Sequence, residues 1–240
     1  MTWRNRRRVL WPLIVLLAGR PAIILAAEGL DPLLEKLSDP SAREVVQEAT
    51  LVRPPLPIAI RSTVAIYEFL LDRPGFSAAV ARHLHPHLEK YTVVEKGPAI
   101  YDVDDGGSIR GEVRLLTKAA DRRVYLANGE ARSMAQLIRV TGRVVILLEY
   151  RPGTSDGNPA VETTSHLFFR VDGGLMKVMV KILAPLIGGA VDRRITTLGL
   201  AARVVAERIA HDPRSLYDEM QGWTDLRPED VAEYRRAFVP

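Results

Sequence analysis

No cysteine occurs among the 240 residues. That excludes disulfide staples, thiolate nucleophiles and cysteine-ligated metal centres, so stability has to come from a packed core. The chain also has no Gly-x-Ser-x-Gly elbow, no phosphate-binding Gly-x-x-x-x-Gly-Lys loop and no dinucleotide fingerprint, which removes the commonest hydrolase, nucleotidase and dehydrogenase signatures. The apolar run near the start, Val9 to Ala18, is shorter than the roughly 20 residues of a membrane-spanning helix.

What is present is globular composition, with 47% hydrophobic and 26% charged residues, enough for one main core. The net charge of +4 invites a nucleic-acid or anionic-membrane reading, but the excess is concentrated at one end. Residues 1–27 contain Arg4, Arg6, Arg7, Arg8 and Arg20 and no acid. Setting those five aside leaves 28 basic against 29 acidic residues, a charge of about −1, and no nucleic-acid partner is expected. The same 27 residues have a basic start, an apolar middle and small residues at Ala26 and Ala27, the three parts of a secretory signal. A periplasmic or secreted protein of a bacterium is the expectation. An N-terminally anchored form is the alternative, because Arg20-Pro21 interrupts the apolar stretch.

Residues 28–56 read as an extension, with helical patterns at Leu30-Leu33-Leu34-Leu37 and Val45-Val46-Ala49. "VRPPLP" at 52–57 reads as a stiff linker. A main domain over 57–212 and a C-terminal tail over 213–240 follow. Ser62 or Thr63 is placed to cap a helix in "STVAIYEFLLD", ended by Pro74, and "GFSAAVARHL" supplies a second. From residue 91 the period changes to that of strands, at 91–95, 97–103, 109–118, 122–128, 133–141, 143–150 and 160–171. "DDGG", "KAADR", "NGE", "TGR" and "RPGTSDGNP" read as turns between them, giving an antiparallel meander of about six strands. Ile109, Gly111, Val113 and Leu115 should face one way and Arg110, Glu112 and Arg114 the other. A long helical stripe then runs from Gly174 to about His211.

The most conspicuous chemical pattern is "RHLHPHLEK", with His83, His85 and His87 at alternate positions. Three imidazoles on one face of a strand could ligate a metal, but Pro86 removes a ladder donor and nothing else completes a ligand set. The run reads as a solvated loop, with no metal and no cofactor expected. "DVDDGG" begins like a calcium loop but has Gly106 at the fifth position and Val113 at the twelfth, where carboxylate ligands belong. Ser165 and His166 are strand neighbours that point to opposite faces, which rules out a serine–histidine pair. No catalytic set is assigned. Glu112, Glu149, Glu162 and His166 remain as strand residues able to serve as acid–base groups if they enter a cavity.

"GLMKVMVKILAPLIGGAV" is apolar nearly all round except at Lys177 and Lys181, so it needs cover on more than one side. Two short helices, "STVAIYEFLLDRPGFSAAVARHL", then strands from "PAIYDV" to "ETTSHLFFRV", then this helix, follow one order. In that order the chain resembles the START-like superfamily, which includes lipid-transfer domains, plant pathogenesis-related proteins and polyketide cyclases. The resemblance implies an α+β helix-grip fold, a curved antiparallel β-sheet wrapped around a long C-terminal α-helix, with a hydrophobic cavity between them. The cavity walls would then include Tyr101, Val113, Leu115, Met134, Ile146 and Phe168 from the sheet, and Met176, Met179, Leu183 and Ile187 from the helix. The function implied is a binding or carrier protein for a lipid or other hydrophobic small molecule, making transient contact with a membrane. The alternatives are an enzyme of the same fold using Glu112, Glu149 or His166 on an aromatic or apolar substrate, or a structural module of the envelope.

The N-terminal reading is testable directly. N-terminal sequencing of protein isolated from its own host should return a chain beginning near Glu28 in the soluble envelope fraction. Met1 or Thr2 on membrane-bound material would establish the anchored form.

Overall fold

The computed structural model describes residues 37–107, 109–133, 138–173 and 199–239. The first element is helix α1, Pro40–Gln47, started by Asp39, whose carboxylate accepts from the Ala42 amide at 3.0 Å. Strand β1, Leu51–Ile60, leads to helices α2, Val64–Asp72, and α3, Pro74–Leu84. Thr63 is the residue that caps α2, accepting from the Ile66 amide. The strands follow as β2, Thr92–Gly97, β3, Ile100–Asp104, β4, Ile109–Lys118, β5, Arg122–Ser133, β6, Ile138–Ser155, and β7, Asn158–Val171. Residues 199–211 form α4, and α5, Pro213–Met220, and α6, Pro228–Phe238, complete the chain. The part of the long expected helix before residue 199 lies outside the described residues. Among the described residues no helix is long and apolar enough to cross a membrane.

All seven strands form one antiparallel sheet in the order β1-β7-β6-β5-β4-β3-β2. Only β1 is out of sequence, pairing with β7 and so carrying α2 and α3 to the far end of the sheet. This is the α+β helix-grip arrangement. The segment read as a stiff linker is most of β1. Its prolines are tolerated because β1 is an edge strand, and the register breaks between Arg53 and Leu56, where Pro54 and Pro55 cannot donate to a ladder.

Strands β5 and β6 are longer than the turn residues suggested. "NGE" and "TGR" are not turns, because Gly129 lies within β5 and Gly142 within β6, opposite one another, with Gly111 of β4 opposite Gly129. A Cβ on these three would stand 2.4, 2.6 and 2.6 Å from a neighbouring strand's carbonyl oxygen at Gly111, Gly129 and Gly142 respectively. Three glycines in one register row let adjacent backbones close up where the sheet bends. The β6–β7 turn is shorter than "RPGTSDGNP", consisting of Asp156 and Gly157 with φ of 51° and 77°. Positive φ at both residues gives the hairpin a twist that matches its strands.

Two apolar clusters lie on opposite faces of the sheet. On the outer face α1 places Ala42 and Val45 against Val124, Leu126, Val145, Leu147 and Phe168. Ion pairs tie α1 down, Arg114 to Asp39 at 2.5 Å, Arg143 to Glu44 at 2.8 Å and Arg170 to Glu44 at 2.7 Å. The extension therefore belongs to the sheet's cover. On the inner face Ala201, Val205, Ala206 and Ile209 of α4 share a cluster with Ile60, Tyr67, Tyr150 and Val161, which continues through Phe69 and Phe76 into α5 and α6.

The glycine row makes a specific prediction. Gly129→Val places a branched side chain where even a Cβ would crowd the Arg110 carbonyl, and should lower unfolding free energy by about 2 kcal/mol in urea titration. A variant of unchanged midpoint would show that the bend has room to spare.

Candidate functional site

Strand parity assigns every sheet residue to a face. From Val113 the register runs to Ala127, Val144 and Phe169, and from Leu115 to Tyr125, Ile146 and Leu167. These two rows share the face of Tyr150 and Val161, the inner one. Their neighbours on the outer face, Val124, Leu126, Val145 and Leu147, are at most 2% exposed. Val113, Leu115, Tyr125, Val144, Ile146 and Phe169 are only half-buried. The middle of the inner face is thus apolar and less completely covered than the outer face.

Of the cavity residues expected from the sequence, Tyr101, Val113, Leu115 and Ile146 stand on this inner face. Phe168 does not. It pairs with Val145 and packs under α1 on the outer face at 6% exposure, since it lies an odd number of positions from Leu167 and Phe169. Met134, Met176, Met179, Leu183 and Ile187 lie outside the described residues.

The acid–base candidates stand on the face opposite the inner rows, Glu149 and Glu162 beside a separate groove of about 660 Å³. Glu149 and His166 occupy the outer face, where His166 Nε2 meets Glu149 Oε2 at 3.2 Å. Glu162 pairs with Arg151 at 2.7 Å on that face, and Glu112 points outward to solvent. Parity places all four opposite the inner rows.

The inner face has its own polar end, which the sequence reading missed. Arg123 of β5 is 1% exposed and lies 3.6 Å from Asp72 and 3.9 Å from Glu68, both on α2. It donates to the carbonyls of Ala119 and Arg122 and sits over the Tyr150 ring. The Tyr150 hydroxyl donates to Glu68 at 3.0 Å, the Tyr67 hydroxyl to Thr163 at 3.3 Å, and the two rings meet edge to face at 5.3 Å. Burial, aided by the Glu68 hydrogen bond, pushes the Tyr150 phenol up to about 12. Burial also raises Tyr67, Tyr101 and Tyr125. All four are therefore neutral near pH 7. One signal was available in "RRVYL", because Arg123 shares parity with Tyr125.

The histidine run is not a solvated loop throughout. His83 belongs to α3, its ring stacked on Trp223 at 4.1 Å with a 6° tilt, and its Nε2 lies 2.8 Å from Asp225, which also pairs with Arg82 at 2.5 Å. His85 caps a turn of 3-10 helix over Pro86–Leu88, accepting from the His87 amide. Alternation therefore serves two separate structural tasks. Among the described residues no three His, Cys, Asp or Glu side chains converge as a metal site. A surface groove of about 950 Å³ between α5 and α6 is lined by Tyr217, Trp223, Leu226 and Val231, and no residue of the inner rows lines it.

No family model matches the chain, and no curated protein matches it. Among solved structures, a conserved protein from Geobacillus kaustophilus is 16% identical, with a TM-score of 0.46 over 64% of this chain and 95% of that one. Norcoclaurine synthase from Thalictrum flavum is also 16% identical, with a TM-score of 0.44 over 70% and 92%. The di-domain ARO/CYC of the steffimycin biosynthetic pathway is 14% identical, with a TM-score of 0.40 over 71% of this chain and 55% of that one. At these identities the likeness concerns the fold alone.

The His83 clasp has a measurable signature. Burial works against ionisation of Asp225, but hydrogen bonds from His83 and Arg82 outweigh it and hold the carboxyl below its usual range. A depressed folded-state value contributes stability above the unfolded value of about 3.9 and loses it as pH falls through the folded value. His83→Ala should lower stability by about 1 kcal/mol at neutral pH through loss of the ring stack. Asp225→Asn should be less stable than wild type at pH 7 and converge with it below the carboxylate range. Unchanged thermal midpoints in both would sink the clasp.

Proposed function

We propose that this chain is a binding or carrier protein for a lipid or another hydrophobic small molecule, seated against the middle of the inner face. The observation that carries the reading is the contrast between the two sheet faces. The outer face is sealed by a short helix, whereas Val113, Leu115, Tyr125 and Ile146 on the inner face are apolar yet half-buried. Apolar burial stabilises a complex by about 25 cal/mol per Å², so a ligand covering these rows gains affinity without a catalytic group. At one end of the inner face the polar groups Arg123, Glu68, Asp72, Tyr67, Thr163 and Tyr150 are engaged with one another. We further propose export to the periplasm, supported by the basic, apolar and small-residue order of residues 1–27, with transient membrane contact during ligand exchange.

Native mass spectrometry of protein from its own host, with extraction of bound compounds, tests the reading most directly. A complementary test uses pyrene fluorescence. Ile146→Asp puts an unpaired charge on the inner face. Pyrene affinity should fall at least about tenfold while the thermal midpoint stays within a few degrees. Loss of folding would show that these rows are solid core, and failure of the wild-type protein to bind pyrene would overturn the carrier reading.

A further inference from the structure

Charge at the polar end of the inner face is balanced. Arg123 stands against Asp72 and Glu68, and Lys118 holds Asp72 at 2.7 Å, so two cations face two carboxylates. Arg53, on the inner side of β1, is itself engaged. Glu95 lies opposite Tyr101 and adds negative charge near that hydroxyl. None of these pairs offers a spare cation to an incoming anion.

The hydroxyls of Tyr101 and Tyr125 differ from those of Tyr67 and Tyr150. Among the described residues they have no hydrogen-bond partner, and both side chains are only half-buried. The two residues lie on the same face on either side of β4, Tyr101 opposite Val113 and Tyr125 opposite Leu115. Both are neutral phenols, able to donate one hydrogen bond each into an apolar space.

We infer that the ligand of the inner face is an uncharged compound with a carbonyl-type acceptor oxygen, held by Tyr101 and Tyr125, and not a free fatty-acid carboxylate. The inference rests on reading this face as a binding surface. A carboxylate would leave its hydration for two neutral donors and, among the described residues, for ion pairs already matched in charge, whereas a ketone or ester oxygen loses far less on entry. A ligand without an acceptor would leave both hydroxyls unsatisfied.

Three pyrene derivatives of matched size separate the cases: 1-acetylpyrene, 1-ethylpyrene and 1-pyrenecarboxylate. Fluorescence titration of the full chain should find the acetyl compound bound about tenfold more tightly than the ethyl compound and the carboxylate bound most weakly. In the Tyr101→Phe/Tyr125→Phe double variant the acetyl advantage should shrink to near unity, with ethylpyrene affinity and thermal midpoint unchanged. A carboxylate bound as tightly as the acetyl compound overturns the inference, as does an acetyl advantage that survives in the folded double variant. If none of the three binds the folded wild-type chain, the binding-surface reading fails and this inference with it.

Discussion

Central strands β5, β6 and β7 carry apolar side chains at odd and even positions alike, and a sheet with two apolar faces has to be covered twice. Val124, Leu126, Val145 and Leu147 look one way, and Tyr125, Ile146 and Leu167 the other. This requirement explains why a segment ahead of β1 becomes part of the domain. Helix α1 is too short to be stable alone. It persists because Ala42 and Val45 bury against the outer rows while Asp39, Glu44 and Glu48 meet Arg114, Arg143 and Arg170 around its edge.

The two covers are built differently. The outer cover is flush, a small helix with small residues on a flat patch, fixed by charge at its rim. The inner cover is assembled from α2, α3, α4, α5 and α6 and gathers at one end of the sheet, where Phe69, Phe76, Tyr234 and Phe238 pack in edge-on and tilted pairs. The glycine row of β4, β5 and β6 lets the strands close up on each other and bend. The middle rows of the inner face stay half-buried, and there the apolar surface coincides with the Tyr101 and Tyr125 hydroxyls, which have no hydrogen-bond partner among the described residues.

Arg123 shows how a charge is accommodated in such a place. It is buried to 1% exposure with Nη1 donating to two backbone carbonyls, two carboxylates within 4 Å of Nη2 and an aromatic ring under the guanidinium, while Nε makes no hydrogen bond among the described residues. Removing one partner would leave the rest desolvated and unmatched. The same network holds α2 against the start of β5 and sets the orientation of Tyr150, so the polar end is at once structural and the boundary of the apolar rows.

The order of elements, the caps at Asp39 and Thr63 and the inward parity of Val113 and Leu115 follow from local chemistry: period, capping side chains and alternation act over a few residues, and the sequence alone determines them. What only the tertiary structure decided depends on partners distant in the chain. Gly129 and Gly142 carry the same turn signal as a true hairpin glycine, yet they bend long strands because Gly111 and each other are their neighbours across the sheet. Pro54 and Pro55 spoke for a linker, but β7 recruited them to an edge. Phe168 and Phe169 are indistinguishable by composition, and His166 looked as available to a cavity as any strand residue. Only a register fixed by pairing with β6 sent Phe168 and His166 outward, while the meeting of α2 with β5 brought Glu68, Asp72 and Arg123 together across half a hundred residues.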